Sequence, residues 1–255
     1  MMNMPNKFLT AAVVLAVWLI WMLPPRGRYQ SQENSASSLE ARKKADYARI
    51  EQEMSKNPLF LTLKKYDTNY YGRFRGTLEA AANGNISIQE VISRLYRMDD
   101  FGSEHLSHAT DEAVLAFAQT QIAVLQQVLA KNTDLCFAIL WGDAERMSKK
   151  DGNLRLYLTP ASWEAMFATK ALVVETSMTK PQPAPEEASV QTKIEQLWNE
   201  LAKLHPDDVQ LLSDVKAAQK DKRKACALLI ELLENAVKLP QKDASAVLRT
   251  MLAAK

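Results

Sequence analysis

The sequence predicts a mainly α-helical body behind a single N-terminal transmembrane helix. Three observations carry this expectation. Glycine is scarce, 7 of 255 residues, and sheet proteins need glycine in turns and bulges where helices avoid it. Helix-start signals recur along the chain, with Ser, Thr, Asn or Asp ahead of Pro or of a Glu three residues on. Apolar residues repeat at intervals of three and four from about residue 58 onward. At 47% hydrophobic and 24% charged residues the chain can bury a core rather than remain disordered. A net charge of +2 from 32 basic and 30 acidic residues is too balanced for a nucleic-acid footprint over the whole chain, so no nucleic-acid partner is expected.

The first element is Phe8 to Leu23, FLTAAVVLAVWLIWML, uncharged, with Thr10 as its only polar residue. As a helix it reaches ~24 Å, a little short of a ~30 Å hydrocarbon core, and Lys7 can snorkel to extend it. Trp18 and Trp21 lie where an interfacial belt wants them, and Pro24 and Pro25 stop the helix. A cleaved signal peptide is the alternative. The stretch MLPPRGR after the run offers no small-residue cleavage site, so residues 1–28 read as an uncleaved anchor whose partner is the membrane through residues 8–23. A short tail before an apolar run is a signal-anchor layout, which places the body in the periplasm or another extracytoplasmic space beside an inner membrane. Arg26, Arg28, Arg42, Lys43 and Lys44 favour a cytoplasmic body instead.

Residues 29–56 form a polar tether and a charged helix opened by Ser37 and Glu40. Residues 57–179 form a helical domain. Asn57-Pro58 starts a helix over 58–66, a second covers 68–82, and Asn83-Gly84 ends it. Ser87 and Glu90 make another capping box, opening a helix with Ile88, Val91, Ile92, Leu95 and Tyr96 on one face. Asp111 begins the longest apolar stripe, Val114 to Leu129. The run 135–141, LCFAILW, is a buried helix or a buried strand. Residues 154–158 alternate like a strand. Thr159-Pro160 starts a helix to about Ser177 that buries Trp163, Met166, Phe167, Leu172 and Val173. If 135–141 and 171–177 are strands, the region around 135–177 becomes a small α+β element. Residues 180–188 contain three prolines in alternate positions and form a stiff linker. Residues 189–255 then form a C-terminal helical bundle over about 189–204, 207–219, 221–238 and 242–253. At that size the bundle is marginal alone, which favours docking on the first unit.

The chemistry-bearing candidates are few. Glu104, His105, His108 and Asp111 form a polar cluster in GSEHLSHATDE, read as a loop ahead of the long helix. His105 and His108 are spaced to share a helix face, but spacing supplies no third metal ligand. Ser177 and Lys180 match S-x-x-K, in which a Lys can take the proton of a Ser nucleophile; the prolines that follow place Ser177 at a helix end rather than a start. Tyr66, Tyr70, Tyr71, Arg73, Phe74 and Arg75 read as a helix with an aromatic core face and a basic outer face. The run 216–224 reads as a solvated junction. Cys136 and Cys226 both lie in apolar stretches and are either a disulfide pair, as an exported protein favours, or two buried thiols. There is no glycine-rich phosphate loop, and no cofactor, metal or small-molecule ligand is implied. The expected function is a non-enzymatic, membrane-anchored module of the cell envelope that engages a protein partner. The alternative is an envelope hydrolase acting on peptidoglycan or lipid through Glu104, His105, His108 and Asp111.

Overall fold

The computed structural model describes residues 55–83, 85–86, 101–147, 152 and 154–253, together with Ala45, Ala48 and Gln52. The apolar segment 8–23, nearly all of 29–54 and the helix expected from Ser87 lie outside the described residues. Among the described residues the chain is 81% helical, with no strand.

Helix α1 spans Pro58–Tyr66, and Asn57 caps it by accepting from Leu59 N. Asp67 ends α1 and caps α2, Thr68–Ala82, by accepting from Tyr70 N. One residue thus closes one helix with its backbone N–H, donated to the Leu63 carbonyl, and starts the next with its side chain, which sets a sharp corner. After a π-helical turn, Phe101–Leu106, comes α3, Asp111–Lys131. Its length and apolarity would suffice to cross a membrane; here the helices Pro160–Thr179, Lys222–Val237 and Gln241–Ala253 pack against it.

The run 135–141 is helix α4, Thr133–Trp141. Its cap is Asn132, accepting from Leu135 N, and Gly142 ends it in a left-handed conformation, φ 76°. That start and stop commit the apolar run to a helix. A short α5, Ala144–Met147, follows. The strand expected at 154–158 is replaced by a 3₁₀ turn, Leu154–Leu156, so the small α+β element around 135–177 does not form. Residues 171–177 are the last two turns of α6, Pro160–Thr179, which Thr159 caps as expected. Leu172 was expected inside but is 38% exposed, while Met166, Phe167, Ala171, Val173 and Val174 are buried.

Beyond the proline segment lie α7, Glu187–Leu204, a 3₁₀ turn, Val209–Leu212, α8, Val215–Lys220, α9, Lys222–Val237, and α10, Gln241–Ala253. The single helix expected at 207–219 is therefore broken in two. Asp214 breaks it, because its side chain accepts from Lys216 N and starts α8 afresh. The buried apolar residues form one cluster running from Leu59 to Leu252. Helix α3 is its centre, packed on α6 from the first region and on α9 and α10 from the last, while α1 lies against α6.

Candidate functional site

Of the four polar residues singled out in the sequence, Glu104 and His105 come together, whereas His108 and Asp111 turn to other partners. The π-helical turn widens the backbone and aims its consecutive side chains in different directions, a geometry frequent at functional sites. Glu104 faces solvent, and its Oε2 lies 3.2 Å from Arg73 Nη2. His105 turns inward and is fully buried. His108 Nδ1 lies 3.2 Å from the Gln182 carbonyl, tying the turn to the proline segment. Asp111 belongs to another knot, where its Oδ1 accepts from Arg249 Nη2 and Ser245 Oγ, each at 2.7 Å. Arg249 is itself buried and also donates to the Ala109 carbonyl.

His105 instead gathers residues from three other places. Asp67, at the α1–α2 corner, sets its Oδ2 3.1 Å from Nε2, while its other oxygen holds the start of α2 through Tyr70 N at 2.8 Å. Ser177, in the last turn of α6, sets its Oγ 3.0 Å from Nδ1 and donates to the Val174 carbonyl at 2.9 Å. The Tyr70 ring meets the imidazole edge-on, with centroids 5.7 Å apart, and Arg73 lies over that same tyrosine. Donor atoms of Asp67, Glu104 and His105 all fall within 4.8 Å of one another. Burial pulls the His105 pKa below the ordinary imidazole value, and the Asp67 charge opposes that shift.

Asp67 and Ser177 were missed as partners of His105. Asp67 could be found as a cap between two predicted helices, but nothing in the sequence links it to a residue 38 positions on. Ser177 stood out only through S-x-x-K. It closes α6 as expected, and Lys180 is the residue that caps that helix end. The aromatic and basic stretch 66–75 divides as expected, with Tyr70 and Phe74 buried and Arg73 half exposed.

Two further groups lie in the core. Lys170, on α6, is wholly buried, and that burial pushes its pKa down to about 7. Cys136 on α4 and Cys226 on α9 are free, buried thiols. Burial pushes the Cys226 pKa up, and a hydrogen bond with Cys136 adds to the shift. No family model, curated protein or solved structure matches this chain.

Proposed function

We propose that this chain is a non-enzymatic, membrane-tethered helical module of the cell envelope, anchored through residues 8–23, whose extracytoplasmic body docks a protein partner. The observation that carries this reading is how the candidate acid–base residues are used. Asp111 is spent on Arg249 and Ser245 and His108 on the proline segment, while Glu104 faces Arg73 at the surface. His105 and Ser177 are sealed from solvent. A general acid or base must reach the proton it moves, and groups occupied in ties between elements serve scaffolding better than hydrolysis. Aliphatic side chains left in solvent on the packed pair α1 and α6, Leu61, Leu172 and Met178, fit a surface that meets another protein.

The test places a photo-crosslinking residue at Leu61, Leu172 or Met178 of the full chain in its own membrane, with a topology reporter fused after Lys255. The expected result is an extracytoplasmic reporter signal and one reproducible adduct that depends on position. If no position yields an adduct, and the purified full chain degrades peptidoglycan or lipid in a Glu104-dependent way, the hydrolase reading replaces this one.

A further inference from the structure

The buried histidine poses a charge problem that goes beyond a docking role. Ser177 has one hydroxyl proton, and the Val174 carbonyl, 2.9 Å away, is one acceptor for it. The Ser177 oxygen lies 3.0 Å from His105 Nδ1. With the hydroxyl turned to Val174, the proton of a neutral imidazole sits on Nδ1 and Nε2 keeps a lone pair; a hydroxyl turned to Nδ1 gives the other tautomer, with the proton on Nε2. Nε2 faces Asp67 Oδ2 at 3.1 Å. In the first tautomer, two lone-pair atoms at that separation repel each other unless positive charge lies between them. Glu104 brings a second carboxylate within 4.8 Å of both, with Arg73 Nη2 3.2 Å from its Oε2.

We propose that Asp67, Glu104 and His105 form a binding site for a divalent transition-metal ion of the zinc class. One imidazole nitrogen with two carboxylate oxygens is a donor set such ions accept, and a water completes four-coordination. Bonds of ~2.0–2.1 Å at tetrahedral angles put neighbouring donors ~3.3 Å apart, close to the 3.1 Å between Nε2 and Oδ2. The supporting shell is already built. Nδ1–H donates to Ser177, which is anchored on Val174, and the second Asp67 oxygen is held by Tyr70 N. Such outer contacts fix the tautomer and the aim of a metal-binding histidine. Glu104 is the adjustable ligand: its side chain is 43% exposed and leaves Arg73 to reach the ion. The ion would join the α1–α2 corner to the π-helical turn, two pieces of chain far apart in sequence. The competing occupant is a proton on Nε2, which either makes His105 an imidazolium paired with Asp67 or leaves it neutral with Nδ1 accepting from Ser177.

The experiment uses the full-length chain in detergent, stripped of metal by a chelator and titrated with Co²⁺, whose visible absorption reports coordination. Glu104→Gln removes the exposed ligand without touching the core. Asp67→Asn keeps a helix-capping side chain and removes the charge. We expect one Co²⁺ per wild-type chain, displaced by Zn²⁺, and affinity at least about tenfold weaker in each variant. Failure of the wild-type chain to bind Co²⁺, or binding in folded Glu104→Gln as tight as in wild type, overturns the site in favour of the proton. Because Glu104→Gln lies at the surface, it decides the question even if Asp67→Asn does not fold.

Discussion

Lys170 shows how much one enclosed side chain can set against the fold. Its amine has no solvent around it and a pKa near 7 in place of 10.5. The unfolded chain holds that proton up to about pH 10.5, and the folded chain only below about 7. Between those values the unfolded state binds more protons, so the Lys170 contribution makes stability climb as pH rises. Below pH 7 both states are protonated, and the burial penalty stays at its full value. Lys170→Met removes the penalty while keeping the volume. The variant should exceed wild type most at pH 7 and below, and its advantage should shrink by about 1.4 kcal/mol per pH unit across the window. Urea unfolding of both proteins over that range checks this, and a pH-independent difference would sink it. Lys170 interrupts an apolar face at helical spacing, but a sequence cannot distinguish an enclosed amine from one that snorkels to the surface.

At the scale of elements, legibility follows the physics of helix ends. Asn57-Pro58 and Thr159-Pro160 were readable as starts because each pairs a capping oxygen with a proline whose missing N–H is not needed there. The ambiguous run 135–141 lacked that pairing, and its fate is decided by Asn132 before it and Gly142 after it. The alternation at 154–158 misled because a single 3₁₀ turn also separates neighbouring side chains onto different faces. Gly142 supplies a test of the same reasoning. At φ 76° its backbone N–H closes α4 on the Ala138 carbonyl, and a side chain there costs about 1–2 kcal/mol. Gly142→Ala should lower stability by that amount with the helical circular dichroism spectrum intact. An unchanged unfolding midpoint would show that α4 ends some other way.

Across the whole molecule, the proline-rich segment marks a change in composition but not a gap in the core. The buried cluster continues from α1 to α10, and the polar ties across the segment are specific. Gln126 bonds Glu234, Gln241 bonds Glu112, and Lys222 bonds Asp134 and lies over Phe137. None of these pairs, nor the gathering of Asp67 and Ser177 around His105, was legible beforehand. Local signals reach a few residues along the chain, whereas these partners are separated by 72 to 129 positions or lie at a corner whose direction no local pattern encodes. The buried Arg249 is the most consequential tie. It joins the last helix to Asp111 and to the Ala109 carbonyl at the entry of α3. Replacing it with Met strips a buried charge from its partners, and because Asp111 keeps some solvent contact the cost should be about 3 kcal/mol, at the lower end for broken buried pairs. If α3 is the shared centre, that loss must reach both sides of the proline segment together. With the other tryptophans changed to Phe, Trp163 reports before the segment and Trp198 after it. In the full chain both signals should unfold in one coincident transition, and Arg249→Met should move both midpoints down by the same amount. Two separated transitions, or a shift confined to Trp198, would mean that the helices after residue 188 fold as a unit of their own and that the contacts with α3 add little to either half.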